Sequence, residues 1–126
     1  MTEEQLRIAA SKRLERDGKV YSTPIEVTLD VIGGKWKSVL AYHIIQSPQR
    51  FSELKRLVPG ITEKMLTQTL RELERDGVVS RTVFAEVPPR VEYRITDHGA
   101  SLQPVLAAMC AWGRGHWQQG AASTEG

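Results

Sequence analysis

Apolar residues recur at helical spacing over most of this chain and give way to strand chemistry once, between residues 78 and 96. Leu6, Ala10 and Leu14 stand at i, i+4 and i+8, which predicts an amphipathic helix from Thr2 to Arg16, stopped by Asp17-Gly18. Its apolar stripe is thin, so this helix is either a dimerisation arm docked on something else or partly frayed. Thr23-Pro24-Ile25-Glu26 marks a second helix start: a cap, a proline suited to the first turn and a capping-box acid. Ile25, Leu29 and Ile32 predict its buried face, and Gly33-Gly34 ends it. A further helix runs from Lys35 to about Gln46, with Trp36, Val39, Leu40 and Ile44 on one side and Ser47-Pro48 closing it.

Residues 51–96 then read as one device. A short helix spans Phe51 to Val58, with Phe51, Leu54 and Leu57/Val58 inward, and Pro59-Gly60 forms the turn. The next helix spans Thr62 to about Asp76, ended by Gly77. Leu66, Leu70 and Leu73 share one face, while Lys64, Gln68, Arg71 and Arg75 share the opposite one. Strands follow at 78–86 and 90–96, rich in Val, Thr, Phe, Tyr and Ile. The Val87-Pro88-Pro89-Arg90 turn between them predicts a stiff loop whose tip carries Arg90. Helix, turn, helix and hairpin in this order predict a helix-turn-helix whose second helix enters a DNA major groove, with the hairpin as a wing. A last helix starts at Asp97, capped by Thr96, and runs to about Gln118, with Pro104 kinking or restarting it. Leu102, Val105, Leu106, Met109 and Trp112 form its apolar stripe. The expected class is α+β, mostly helical. Its divisions are an N-terminal helix at 1–18, a winged helix-turn-helix with its C-terminal helix at 19–118, and a disordered tail at 119–126.

Charge changes this picture modestly. The net charge is +2, but residues 35–90 hold ten Lys/Arg against six Asp/Glu, an excess of +4 where the DNA-binding device lies. The single cysteine, Cys110, excludes an intramolecular disulfide framework and fits a reducing compartment. No apolar run approaches the roughly 18 residues of a membrane span, and the N-terminus lacks a signal-peptide core. A cytoplasmic protein with no membrane partner is expected. His43, His98 and His116 are too dispersed for a metal site. There is no phosphate-cradling glycine loop, nucleophile triad or catalytic carboxylate pair, so neither an enzyme nor a cofactor is expected.

The segments PIEVTLDVIGGKW (24–36), RFSELKRLVPGIT (50–62), LTQTLRELERDGVVSRTVFAEVPPRVEYRIT (66–96) and AWG (111–113) resemble the HxlR-type winged-helix transcriptional regulators, relatives of the MarR group. The resemblance implies a homodimeric repressor or activator. Its N- and C-terminal helices would form the dimer, and two recognition helices would meet a pseudo-palindromic operator. Many members carry a sensing cysteine just before the proline that starts the first core helix. Here that residue is Thr23, so the thiol switch does not carry over. Cys110, beside Met109, reads as a small buried hydrophobe.

The expected partners are therefore double-stranded operator DNA and a second copy of the chain. Phosphate contacts are expected at Lys35, Lys37 and Ser52, near helix starts, and Thr62 is a further expected DNA-binding residue. Base reading is expected from Lys64, Thr67, Gln68 and Arg71, and a minor-groove contact from Arg90. Arg75 reads as an ion-pair residue. The dimer interface is expected at Leu6, Ala10, Leu14, Leu102, Val105, Leu106, Met109 and Trp112. A protein-interaction module without DNA binding is the alternative, disfavoured by the basic helix face. An inducer remains open: a small hydrophobic ligand between the terminal helices and the core, a thiol effect at Cys110, or none.

Overall fold

The structure, a computed structural model, describes residues 2–5, 14–16 and 18–125. Two short strands, β1 (Leu14–Arg16) and β2 (Lys19–Tyr21), form an antiparallel hairpin. Four helices follow: α1 (Pro24–Ile32), α2 (Lys37–Gln46), α3 (Phe51–Leu57) and α4 (Glu63–Arg75). The wing strands β3 (Val79–Phe84) and β4 (Arg90–Ile95) lead into α5 (Asp97–Ala100) and the long α6 (Gln103–Glu125).

The N-terminal prediction needs correction. Residues 3–5 are helical, with Thr2 and Gln5 capping each other's backbone N–H at 2.9 and 3.1 Å. Leu14 to Arg16 is a strand, so no helix runs through to Arg16. Arg16 pairs with Lys19 across a two-residue turn, in which Gly18 takes φ +80°. Asp-Gly is a strong two-residue hairpin signal as well as a helix stop, and here the hairpin reading wins. Leu6 and Ala10 lie outside the described residues. The hairpin is tied to α1 through Asp30, which accepts from Lys19 Nζ at 2.9 Å and from the Tyr21 hydroxyl at 2.6 Å.

Leu40, Ala41 and Ile44 of α2, Leu54 of α3, and Leu66, Leu70 and Leu73 of α4 are buried together with Ile61, Val78, Val79 and Leu106. The helix-turn-helix thus packs on α2, as its leucine spacing predicts. α1 does not follow its prediction: only Ile32 is buried, while Ile25 and Leu29 are 60% and 57% exposed. The start of α1 is as expected, with the Glu26 carboxylate accepting from Thr23 N–H at 2.7 Å.

Helix α4 ends in a Schellman arrangement. Gly77 N–H donates to Glu74 O and Val78 N–H to Leu73 O, at 3.0 and 2.9 Å, with Gly77 at φ +73°. That sharp exit delivers the chain straight into β3. The wing ladder runs from Val79↔Ile95 to Phe84↔Arg90. Gln49, between α2 and α3, exchanges both backbone hydrogen bonds with Tyr93, at 3.0 and 2.8 Å, and so fastens the wing to the helices. Thr96 binds the carbonyls of Gly77 and Val78 through its hydroxyl and accepts from Gly99 N–H to cap α5. The last helix breaks at residues 101–102, and Pro104 falls in the first turn of α6, where its missing N–H is harmless. α6 continues to Glu125, where a disordered tail from 119 was the expectation.

Candidate nucleic-acid interface

Helix α4 is positioned from its buried side. With Leu66, Leu70 and Leu73 in the core, Lys64, Gln68 and Arg71 are brought together on the open face, and Thr67 is half-buried beside them. Arg75 is exposed as well. Among the described residues no ion pair within 4.0 Å engages Lys64, Arg71 or Arg75, although the charge of Arg75 acts on Glu72 of the same helix, in keeping with its expected ion-pair role. Thr62 is the N-cap: its hydroxyl accepts from Met65 N–H at 3.1 Å.

Three predicted phosphate ligands sit differently from one another. Lys35 is exposed, its ammonium 4.7 Å from the Trp36 ring centre. Lys37 is not free. Its ammonium donates to the Asp30 carbonyl at 2.7 Å and lies 3.5 Å from Glu72 of α4. Ser52 is exposed in the first turn of α3, but Glu53 already occupies that helix start, accepting from Arg50 N–H at 2.9 Å. The Glu72 carboxyl is held below the usual carboxylate range, first by the hydrogen bond from Gln68 and then by the charge of Lys37.

The wing corrects the prediction for Arg90. The tip is Val87-Pro88-Pro89, all exposed, whereas Arg90 is the first residue of β4 and only half-exposed. Its guanidinium stacks on Phe84 and pairs with Glu86 and Glu92 at 3.5 and 3.7 Å. Spacing alone missed other cations. Arg50, Arg56 and Arg81 are exposed without an ion-pair partner among the described residues, and Arg94 is exposed while bonded to Glu92 at 2.9 Å. Strand alternation gave no signal for Arg81, since it puts this residue on the face of buried Val79, yet Arg81 is exposed.

This arrangement matches known proteins along most of its length. The model of the HxlR-like helix-turn-helix family matches residues 31–121. The chain belongs to that family. It is 55% identical over 98 residues to the HTH-type transcriptional regulator YtcD of Bacillus subtilis, covering 78% of each chain. It is 50% identical over 94 residues to an HTH-type regulator of Methanothermobacter thermautotrophicus, covering 75% of this chain and 72% of that one. Among solved structures, the redox regulator HypR in its reduced form aligns with a TM-score of 0.75 at 49% identity, over 79% of this chain and 99% of that one.

The protein is thus an HxlR-like, DNA-binding transcriptional regulator with a winged helix-turn-helix fold. No helix among the described residues is long and apolar enough to cross a membrane. The apolar residues of this HxlR-like chain divide into two groups. Leu106 is 4% exposed and Leu102 partly buried, so both belong to the chain's own core and not to a free face. Val105, Met109 and Trp112 are open and line an apolar groove on α6 with Pro104 and Ala108. Leu14, Val20, Ile25 and Leu29 are open too. Cys110 is exposed, not buried as expected.

Proposed function

We propose that the protein is a homodimeric repressor that sets two copies of α4 into successive major grooves of a pseudo-palindromic operator. The observation that carries the dimer is the open apolar surface of α1 and α6. Leu29 is 57% and Trp112 72% exposed, and an open apolar groove such as the one on α6 is the kind of area that marks an interaction surface. A two-fold axis between such surfaces spaces the reading helices about one DNA turn apart, on the order of 34 Å. Lys64, Thr67, Gln68 and Arg71 then face base edges, while Lys35 and Ser52, joined by Arg50 and Arg56, meet phosphates. A dimer seated on a promoter excludes other proteins from the same DNA, which makes repression its default effect.

Sedimentation of the purified protein, paired with fluorescence anisotropy on a full operator and on a half-site, tests this reading. A dimer at micromolar concentration that binds the full site about a hundredfold more tightly than the half-site is expected. A monomer binding both equally would sink it.

A further inference from the structure

On the reading that α4 enters the major groove, we propose that Glu72 is a positioning residue for base recognition: it fixes the amide of Gln68 for adenine, and Lys37 holds Glu72 in place. The chain of contacts starts in α1. The Asp30 carbonyl accepts from Lys37 Nζ at 2.7 Å, and the same ammonium lies 3.5 Å from Glu72 Oε2. The other carboxylate oxygen, Oε1, accepts from Gln68 Nε2 at 3.2 Å. Each oxygen of Glu72 therefore has its own partner, and the carboxylate plane is held from both sides. The Lys37 and Glu72 side chains are 18% and 27% exposed, so this contact is partly shielded, while the Gln68 amide stands open on the reading face.

A free glutamine amide presents either end to a base, because a half-turn exchanges its oxygen and nitrogen. Glu72 removes that freedom. An ionised carboxylate has acceptors only, so it tolerates the NH2 end of Gln68 and repels the carbonyl end. One N–H is then engaged, and one N–H and the carbonyl oxygen stay free. Those two groups complement the major-groove edge of adenine, which offers N7 as acceptor and N6–H as donor. Guanine offers two acceptors there, O6 and N7, and would set one against the fixed carbonyl. Gln68 thus reads adenine over guanine at one position of each half-site because Glu72 sets its orientation. Lys37 acts two contacts away, without touching DNA.

The test is selection from a randomised operator library, followed by anisotropy with a salt titration on the selected site and its guanine variant, with a thermal melt for each protein. Gln68→Ala and Glu72→Gln are expected to lose about tenfold of adenine preference at the same position, and the double variant to lose no more than Gln68→Ala alone. Lys37→Met is expected to lose part of that preference with its salt slope unchanged, and Lys37→Arg to retain it. Lys37→Met also serves should Glu72→Gln fail to fold. Full adenine preference in folded Glu72→Gln or Lys37→Met overturns the proposal. So does a salt slope flattened by about one in Lys37→Met, which would make Lys37 a phosphate ligand. A wild-type protein with no sequence preference at all would instead overturn the placement of α4 in the groove.

Discussion

The guanidinium carbon of Arg90 lies 4.1 Å from the ring centre of Phe84, its partner on the last rung of the wing ladder. Glu86 and Glu92 flank the cation, and its Nε is buried without a hydrogen bond. A cation stacked and paired in this way closes the hairpin and is largely neutralised before any DNA arrives. Arg90→Ala is therefore expected to lower stability by about 0.5–1 kcal/mol. It should change the salt slope of operator binding by much less than the roughly 0.9 of a lost phosphate contact. Urea denaturation and anisotropy at several salt concentrations check both. A slope change near 0.9 would mean that Arg90 leaves Phe84 for a phosphate.

Gly99 makes the tightest demand on the wing junction. A Cβ at this position would lie 2.1 Å from the Val78 carbonyl oxygen and 2.8 Å from Ile95 Cδ1. The first neighbour is backbone, held by the Thr96 amide and hydroxyl, so no rotamer change relieves the clash. Gly99→Ala is expected to cost about 2–3 kcal/mol in urea denaturation, as overpacking against a fixed neighbour does. Ala100→Gly, at an exposed position next door, should cost well under half of that.

These two sites show where reading residues in order succeeds and where it stops. The face of α4 was legible because Leu66, Leu70 and Leu73 repeat at helical spacing and all reach the core. Gly77 was legible because only glycine readily takes the left-handed turn after a helix. Arg90 was misplaced because two prolines before it suggest a loop tip, whereas the register with Phe84 puts it inside the ladder. Ile25 and Leu29 share an apolar face, but periodicity names the face and not what covers it. The engagement of Lys37 joins residues 35 positions apart, a distance that no local pattern spans.

Asp30 gives the hairpin a pH dependence. Hydrogen bonds from Tyr21 and then Lys19 hold its carboxyl below the usual aspartate range, and the Tyr21 hydroxyl is raised by the same contact. For the depressed carboxyl, the stabilisation is present above the unfolded-state value and lost as pH falls through the folded one. For the raised tyrosine, it is present below the unfolded value and lost as pH rises through the folded one. The β1–β2 hairpin should therefore stay docked across neutral pH and loosen in acid below the normal carboxylate range and again in strong alkali. Amide exchange at residues 19–21, compared with Asp30→Asn, checks this. In Asp30→Asn, exchange should be faster at pH 7, and the acid step should vanish.

Leu29 and Leu106 separate the chain's open apolar surface, the proposed interface, from its own core. Leu29 is 57% exposed and Leu106 4% exposed, although both are leucines on apolar helix faces. An acid at position 106 puts an unpaired charge in the core and should leave little folded protein. An acid at position 29 loses little within the chain but puts a charge where a second copy would sit. Leu29→Glu is therefore expected to remain helical by circular dichroism and to sediment as a monomer. Its melting temperature should no longer rise with protein concentration, since mass action on a dimer produces that rise. Operator affinity should fall by about a hundredfold while half-site affinity holds, because each copy keeps Lys64, Gln68 and Arg71 but loses its linked neighbour. A Leu29→Glu protein that stays dimeric would place the interface elsewhere, with the α6 groove at Met109 and Trp112 the next surface to mutate.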